Sequence, residues 1–302
     1  MRISHVVLDF DGTCTLVEDI QQKFLDHYKA TVAARAHVDG KPVGADFVAG
    51  WSDALDKVRE SSPQAAWVTL SYAPAAPAWA DPYIAAGEAA AWLGRRWKET
   101  HGTKVSLPPD AYNDAYRDHP APWRPEIVEV LTELVGRGIT VAFVSNSATA
   151  KIEARLGELT TLAPEVRAAI RVYGEAAKYQ TRELDWDLDV DKAARKPFRK
   201  LKLAERAEGL NRPIYLRRGA YYQALLQVWG DAGPCPESTL VVGDVYELDL
   251  AMPAALGAHV HLIERAAPFT TCDYERELTR AAGGKVSADL TKVLDRVGKK
   301  KR

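Results

Sequence analysis

The sequence has few cysteines and no excess of either charge. It holds three cysteines in 302 residues, Cys14, Cys235 and Cys272, and no two of them form a C-x-x-C pair. Neither a disulfide framework nor a cysteine zinc site is therefore predicted. The 40 Lys and Arg are balanced by 41 Asp and Glu, so no long-range field attracts nucleic acid or an anionic membrane. We expect a small-molecule partner, with no nucleic acid and no membrane.

Long apolar runs and several well-known binding loops are also missing. No apolar stretch reaches the roughly 18 residues of a membrane span, and Met1-Arg2-Ile3 passes into Val6-Val7-Leu8-Asp9 without a signal-peptide pattern. The sequence has no G-x-x-x-x-G-K-[ST], no G-x-G-x-x-G after a strand, no H-E-x-x-H and no G-x-S-x-G. We expect a cytoplasmic protein, and no motif favours a nucleoside triphosphatase, a dinucleotide enzyme, a zinc protease or a serine hydrolase.

Short apolar runs are present, and most of them lack polar alternation. The five runs are Ile3–Leu8, Ile139–Val144, Ile170–Tyr173, Thr239–Val242 and Ala258–Ile263. Continuous Val, Ile, Leu and Phe segments of this length suit strands that are buried on both faces, as in a parallel sheet. An amphipathic helix is predicted over 125–137, directly before the second run. The pattern predicts an α/β fold with a doubly wound parallel sheet.

The first two predicted strands lie far apart in the chain, with more sequence between them than one crossover needs. Helical patterns occur between them at Glu18–Arg35, Asp46–Glu60 and Asp81–Thr100. We therefore predict an inserted, mostly α-helical cap domain at residues 16–120, within a core domain formed by residues 1–15 and 121–302. A second, charged excursion spans 179–217, which we interpret as solvated surface; its part in any pocket stays open.

The predicted cap is rich in tryptophan and carries several cations. Its tryptophans either fill the core of the cap or form a wall that faces a ligand, and the first is expected of a small domain. They are Trp51, Trp67, Trp79, Trp92 and Trp97. Four cations could bind a second anionic group of a substrate, although surface solvation is the default for each. They are Arg35, Arg95, Arg96 and Lys98.

Polar side chains follow the predicted strands at their carboxyl ends, where the ligand crevice of a doubly wound sheet lies. The first strand leads into Asp9-Phe10-Asp11-Gly12-Thr13, the second into Ser145-Asn146-Ser147, and the fourth into Gly243-Asp244, with Asp249 five residues on. Two carboxylates about 4 Å apart repel by roughly 4 kcal/mol at an effective dielectric near 20, so a bound cation is expected. An all-oxygen ligand set favours a hard ion, and Mg²⁺ fits best.

These motifs resemble those of the haloacid dehalogenase-like (HAD) superfamily of aspartate-nucleophile phosphotransferases. The family's Asp-x-Asp-Gly-Thr is matched by Asp9 to Thr13, and its strand-ending Ser or Thr by Ser145. Its Gly-Asp with a further acid is matched by Gly243-Asp244 and Asp249. The resemblance covers the chain outside the predicted cap and implies a HAD-like Rossmannoid core.

The resemblance assigns a role to each matched residue. Asp9 would attack phosphorus and form an aspartyl phosphate. Asp11 would protonate the leaving oxygen and later deprotonate the attacking water. Ser145 would donate a hydrogen bond to a phosphoryl oxygen, while Asp244, Asp9 and the backbone carbonyl of Asp11 would hold Mg²⁺.

Three further residues have alternative assignments. Asp249 would support the metal from outside its ligands, or would merely cap the helix that begins near Leu250. Thr13 and Asn146 would bind substrate through backbone N–H groups or orient their neighbours, and both residue types also serve turns.

The family's third motif is a lysine that neutralises the phosphoryl group and the nucleophile, and three cations compete for it here. Lys178 closely follows the third predicted strand and is our first choice as a catalytic residue. Arg218 precedes a predicted helix over 221–228 and is the second, as a substrate-binding residue, although a planar guanidinium differs from a compact ammonium. Lys196 is followed by Pro197, which echoes the family's common Lys-Pro pair.

The resemblance implies a Mg²⁺-dependent phosphatase that hydrolyses a small phosphomonoester through an aspartyl phosphate. Family members that cleave carbon–halogen bonds need no acid at the second motif position, so Asp11 favours phosphoryl chemistry. The insertion after the first motif resembles the family's helical C1 cap, which closes over small substrates. The alternatives are a phosphotransferase or phosphomutase, a phosphonate-cleaving enzyme, and a non-catalytic protein that binds a ligand.

Overall fold

The computed structural model describes residues 2–69, 73–183 and 192–298. Within these ranges, six strands pair into one parallel sheet. They are β1 (His5–Leu8), β2 (Thr140–Val144), β3 (Arg171–Tyr173), β4 (Thr239–Gly243), β5 (His259–Ile263) and β6 (Lys285–Ser287). Their spatial order is β6-β5-β4-β1-β2-β3. The predicted doubly wound α/β sheet is confirmed, and five of its strands lie where the sequence placed them.

The sheet buries both of its faces, which explains the continuous apolar runs. Successive side chains of a strand point to opposite faces, so Val7 packs into one apolar cluster while Val6 and Leu8 pack into another. All five residues of β4 are buried. The sequence did not predict β6, because this edge strand has one apolar residue, Val286, between Lys285 and Ser287.

Helices predominate between β1 and β2. They are α1 (Gln21–Arg35), α2 (Gly44–Phe47), α3 (Trp51–Ser61), α4 (Pro82–His101) and α5 (Ala111–Asp118). Short 3-10 helices at Val17–Ile20 and Val48–Gly50 extend α1 and separate α2 from α3. The segment also has two antiparallel strand pairs, His37–Val38 with Lys41–Pro42 and Ala66–Val68 with Pro74–Pro77. The three predicted helices are present, and the exact division of the chain at residues 15 and 120 stays a prediction.

This helical segment has an apolar cluster separate from the clusters on the two sheet faces. Trp51 is buried in it, and Trp79, Trp92 and Trp97 pack against it. Two tryptophans contact aromatic residues from elsewhere in the chain: the Trp67 ring centroid is 5.2 Å from that of Tyr179, and the Trp79 centroid is 4.8 Å from that of Phe269. Trp79 therefore joins the helical segment to the loop that follows β5.

Seven helices after residue 121 surround the sheet within the described ranges. They are α6 (Ile127–Gly136), α7 (Thr149–Glu158), α8 (Pro164–Ala169), α9 (Lys192–Arg199), α10 (Gly219–Trp229), α11 (Ala251–Leu256) and α12 (Asp273–Ala281). Three 3-10 helices lie at Gly230–Ala232, Pro236–Ser238 and Leu290–Asp295, and one π-helical turn at Tyr246–Leu250. No helix in the described part of the chain combines the length and apolar character that a membrane span requires.

The excursion over 179–217 is not simply the solvated surface we expected. Its acidic patch at 185–191 lies outside the described residues. The rest includes α9 and an antiparallel strand pair, Ala204–Glu205 with Ile214–Tyr215. Phe198, Ile214 and Leu216 of this excursion are buried in the apolar cluster that contains Val7 of β1. Arg212 also makes a buried two-pronged ion pair with Glu247, with N–O distances of 2.8 and 2.7 Å.

Candidate active site

Three buried carboxylates meet at the carboxyl ends of β1 and β4. These strands are neighbours in register, with Leu8 opposite Val242, so the residues that follow them emerge side by side. Asp9 follows β1, Asp244 follows β4, and Asp249 lies in the π-helical turn just after it. One carboxylate oxygen from each lies within 4.8 Å of the others. The structure thus brings together three of the four acidic residues that the sequence placed near the metal, and the carboxylate of the fourth, Asp11, is not in this group.

Two glycines make this close approach possible. Gly12 has a φ of +80°, which is unfavourable for any side chain, and a Cβ there would lie 2.5 Å from an oxygen of Asp244. A Cβ on Gly243 would overlap the Cβ of Asp249. Each glycine therefore makes room for one carboxylate of the cluster.

Lys178 provides the positive charge in direct contact with the cluster. Its ammonium donates hydrogen bonds to Asp9 Oδ1 at 2.5 Å and to Asp249 Oδ1 at 2.6 Å, and the residue is 1% exposed. Burial alone would lower the pKa of Lys178, but the two carboxylates outweigh burial and raise that pKa above its usual value. The side chain therefore stays protonated. Of the three candidates for the third-motif cation, Lys178, our first choice, is the one that contacts the carboxylates, and its catalytic role stays a prediction.

The cluster has more negative than positive charge. Burial raises the pKa of Asp9 to about 7, in spite of the opposing charge of Lys178. Burial also raises the pKa of Asp244 well above its usual range, and the charges of Asp249 and Asp9 add to this effect. Thr13 lies between two of the carboxylates, with its hydroxyl 2.9 Å from Asp244 Oδ1 and 3.3 Å from Asp9 Oδ2. Buried carboxylates with an all-oxygen donor set and one ammonium fit a hard divalent cation.

The Asp11 carboxylate is not part of this cluster. Its Oδ2 accepts hydrogen bonds from Tyr116 Oη and Ser147 Oγ, both at 2.6 Å. Burial raises the pKa of Asp11, while the hydrogen bond from Ser147 opposes the rise. The two carboxylates of the first motif therefore occupy different environments, one beside an ammonium and one beside two hydroxyls. Metal binding through the Asp11 carbonyl stays a prediction.

The residues that follow β2 line the same edge of the sheet. Ser145 is 2% exposed, and its Oγ accepts a hydrogen bond from the Ser147 backbone at 3.2 Å. Asn146 Oδ1 accepts a hydrogen bond from the backbone N–H of Lys178 at 2.7 Å. Asn146 thus orients a neighbour, one of the two roles that the sequence left open for it.

The placement of Arg218 does not support the substrate-binding role that we expected. Its guanidinium is fully buried and donates to the carbonyl oxygens of Lys178 at 2.5 Å, Ala75 at 2.9 Å and Tyr215 at 3.2 Å. Arg218 therefore holds the backbone of Lys178 rather than facing the carboxylates. Lys196, the third candidate, is exposed on α9.

Two buried arginines that sequence reasoning missed hold the motif loops. Arg124 donates to the carbonyl oxygens of Thr13 at 2.9 Å and Gly12 at 3.1 Å. Arg265 donates to the carbonyl oxygen of Asp244 and forms an ion pair with Glu275. Neither arginine belongs to a motif, so no sequence pattern pointed to them.

Asp249 has a different role from the cap of α11 that was its alternative. Besides the contact with Lys178, its Oδ2 accepts the backbone N–H of Val245 at 3.0 Å. Both oxygens therefore already have partners, which favours a supporting position beside a metal.

None of the four cations suggested as anion binders in the helical segment is buried at the site. Arg35 forms ion pairs with Asp110 and Asp114, and Arg95, Arg96 and Lys98 are exposed on α4. Surface solvation, the default expectation, describes them.

A parallel α/β sheet with a buried carboxylate and lysine cluster beyond its carboxyl edge defines this class of protein. The family model for haloacid dehalogenase-like hydrolases matches residues 3–257. The chain belongs to this family and is therefore a hydrolase. No curated protein sequence matches the chain.

Several solved structures are similar to this one. A protein described as a predicted phosphoglycolate phosphatase from Haemophilus somnus is 12% identical, with 98% of each chain covered and a TM-score of 0.50. A haloacid dehalogenase-like family hydrolase from Streptococcus pneumoniae is 13% identical, with 97% of each chain covered and a TM-score of 0.49. A dehalogenase is 15% identical over 99% of this chain and 98% of its own, with a TM-score of 0.44. Because the other two TM-scores are below 0.5, only the first comparison bears on the fold. At these identities none of the three bears on the substrate.

Proposed function

We propose that the protein is a Mg²⁺-dependent phosphatase that hydrolyses a small phosphomonoester through an aspartyl phosphate on Asp9. The observation that carries the proposal is the separation of the two first-motif carboxylates. Asp9 lies beside the Lys178 ammonium, and Asp11 lies beside the Tyr116 and Ser147 hydroxyls. Two carboxylates in different environments are suited to the different roles of nucleophile and acid.

The residues suggest a two-step reaction. An oxygen of Asp9 attacks phosphorus, the ester P–O bond breaks, and Asp11 gives its proton to the leaving alkoxide. Asp11, now a carboxylate, then takes a proton from water as that water attacks the phosphoenzyme and releases inorganic phosphate and Asp9. Lys178 offsets the negative charge around Asp9 throughout, and Ser145 Oγ would donate a hydrogen bond to the phosphoryl group.

Asp9 and Asp244 are the residues that would hold Mg²⁺, with Asp249 beside them. When bound, the metal would supply positive charge that stabilises the phosphoryl oxygens. Because Lys178 occupies one oxygen of Asp9, the other oxygen is the one available to a metal. Arg265 and Thr13 fix the backbone and side chain of Asp244, so this ligand is positioned before any metal binds.

Asp11 distinguishes phosphoryl transfer from carbon–halogen cleavage. A halide leaves without a proton, so a dehalogenase would have no use for an acid at this position. Here the Asp11 carboxyl is oriented by two short hydrogen bonds, which supports the phosphatase.

We propose that residues 16–120 act as the cap over this site. Tyr116 lies in α5 of that segment, yet its hydroxyl contacts Asp11 of the core. A cap that touches the acid excludes water and admits only small substrates.

The test is phosphate release from p-nitrophenyl phosphate and a panel of small phosphate esters, with Mg²⁺ or EDTA. Wild-type protein should release phosphate only with the metal, and Asp9→Asn should lose at least about 10³-fold in rate. Asp231→Asn, the same substitution at an exposed aspartate outside the motifs, is the matched control. Release that persists in Asp9→Asn, or none on any ester, contradicts the proposal, and a transferred ester in place of free phosphate indicates a transferase.

A further inference from the structure

Two buried polar atoms near Asp11 have no hydrogen-bond partner among the described residues. They are the ammonium nitrogen of Lys151 and the hydroxyl oxygen of Tyr83. Both flank Tyr116, the residue that donates to Asp11. The Lys151 ammonium lies over the Tyr116 ring, and the Tyr83 ring centroid is 5.0 Å from the Tyr116 centroid in an edge-to-face arrangement.

The two groups come from different segments of the chain, one from the core and one from the helical segment. Lys151 is in the first turn of α7, directly after the Ser145 to Ser147 turn of the core. Tyr83 is in the first turn of α4 in the helical segment, where Asp81 caps the helix by accepting the Ile84 N–H at 2.6 Å. Both residues therefore lie in helices, and neither unpaired group belongs to a loop or a chain terminus.

Leaving such groups unpaired is unfavourable. A buried ammonium loses its hydration, and burial lowers the pKa of Lys151 to about 8 even though the charge of Asp11 opposes this. The contact with the Tyr116 ring compensates only in part. Tyr83 is 8% exposed, and its hydroxyl has no compensating partner in the described structure. Unpaired buried donors beside a reaction centre are expected to pair when a ligand binds.

We propose that Lys151 and Tyr83 bind a carboxylate on the alcohol part of the substrate, which makes the substrate the phosphate ester of a short hydroxy acid. Both groups donate hydrogen bonds, and a carboxylate offers two acceptor oxygens. Both groups contact Tyr116, whose hydroxyl donates to Asp11. In the proposed function Asp11 protonates the leaving alcohol, so we assign the group that Lys151 and Tyr83 bind to that alcohol. The inference rests on the proposed function and names its substrate class.

A simpler role for Lys151 is to balance the charge of Asp11. The two roles predict different kinetics. A lysine that only balances charge affects every ester alike, whereas one that binds a carboxylate affects only esters that carry it. Because the carboxylate contact exists before and during reaction, its loss raises KM more than it lowers kcat.

The experiment compares each carboxylate ester with its neutral amide of the same shape. The pairs are phosphoglycolate with phosphoglycolamide, and the phosphate of 3-hydroxypropionate with that of its amide, which together cover two spacings. We expect wild-type kcat/KM to be at least tenfold higher for the acid in one pair. Lys151→Met should bring that ratio close to one, mostly through KM, and Tyr83→Phe should lower it a few-fold. Lys104→Met, which removes an exposed lysine after α4, should keep it.

Lys151→Arg is the control for a loss of activity through misfolding. It keeps the positive charge and should keep part of the preference for the acid over the amide. A wild-type ratio near one in both pairs overturns the inference, as does an equal loss on acid and amide in Lys151→Met. These outcomes leave the proposed function intact if other esters are hydrolysed. If no ester in the wider panel is hydrolysed, the proposed function fails and this inference fails with it.

Discussion

The ammonium of Lys178 donates a 2.5 Å hydrogen bond to Asp9, although 169 positions separate the two residues in sequence. The contact ties the loop after β3 to the end of β1. It also fixes one oxygen of Asp9 and leaves the other facing Thr13. Removing the ammonium would leave Asp9 and Asp249 buried without their shared counter-charge.

Lys178→Met should therefore affect both activity and stability. We expect phosphate release to fall by about 10²-fold or more and the free energy of unfolding to fall by about 3–5 kcal/mol, as when one partner of a buried ion pair is removed. Urea unfolding and initial rates measure the two effects. Lys196→Met, on the exposed side of α9, is the control, and equal behaviour of the two variants would contradict the assignment of the third-motif cation.

Arg218→Lys tests whether this arginine positions Lys178 or binds substrate. A lysine cannot reach three carbonyl oxygens in different directions, so at least one buried carbonyl loses its partner, which costs about 1–3 kcal/mol. We expect kcat to fall about tenfold with little change in KM, since Lys178 is displaced from Asp9. A rise in KM at constant kcat would instead show that Arg218 contacts substrate.

Asp11→Asn should slow esters according to their leaving groups. A positioned acid contributes about 10²–10⁴-fold to rate, and p-nitrophenolate needs little protonation while an alkoxide needs a full proton. We expect a much larger loss on an alkyl phosphate than on p-nitrophenyl phosphate, with a burst of nitrophenol because the phosphoenzyme lacks its base. Stopped-flow absorbance reports the burst, and equal losses without one would contradict the acid–base role.

Gly12→Ala and Gly138→Ala separate backbone strain from steric clash. Both glycines have positive φ, +80° and +75°, but only Gly12 faces a carboxylate, while a Cβ on Gly138 meets nothing within 4 Å. Each change costs about 1–2 kcal/mol through the left-handed backbone. Only Gly12→Ala should also displace Asp244, raising the Mg²⁺ concentration needed for half-maximal activity. Identical Mg²⁺ dependence of activity in both variants would contradict the assignment of Asp244 as a metal ligand.

His261 should make stability fall in mild acid. This histidine is 1% exposed on β5, and its Nε2 lies 2.8 Å from Ser287 Oγ, which itself donates to the Asp289 carbonyl. Nε2 must therefore carry the proton, and Nδ1, which has no partner in the described residues, would receive a second one in acid. Burial accordingly lowers the pKa of His261 from 6.5 to about 4.

The unfolded and folded pKa values of His261, 6.5 and about 4, determine how the stability of the protein changes with pH. Between about pH 6.5 and 4 the unfolded chain binds more protons at His261 than the folded chain does. The contribution of neutral His261 to the free energy of unfolding is therefore complete above pH 6.5 and is lost as the pH falls towards 4. The loss reaches about 3 kcal/mol. Urea unfolding at pH 7.5 and 4.5 should show a smaller pH difference in His261→Gln than in the wild type. His259→Gln, half-buried on the same strand, should keep the wild-type difference.

The sheet and the first-motif residues could be predicted because their signals are local. Apolar runs buried on both faces mark the strands, and polar residues directly after them mark the carboxyl edge. The third-motif cation was harder, since Lys178, Arg218 and Lys196 are similar as sequence. Only the fold directs Arg218 to carbonyl oxygens and Lys178 to carboxylates. Tyr116, Arg124 and Arg265 gave no signal, because their partners lie on distant segments.

The sequence by itself determined the order along the chain of five of the six strands and the residues that follow each of the five, since both depend on local patterns. The tertiary structure decided which of those residues meet. Asp9 and Asp244 are neighbours because β1 and β4 pair in register, although the chain between them exceeds 230 residues. It also decided that Tyr116 reaches Asp11 and that Lys151 and Tyr83 flank it, because those contacts depend on how the helical segment packs over the sheet edge.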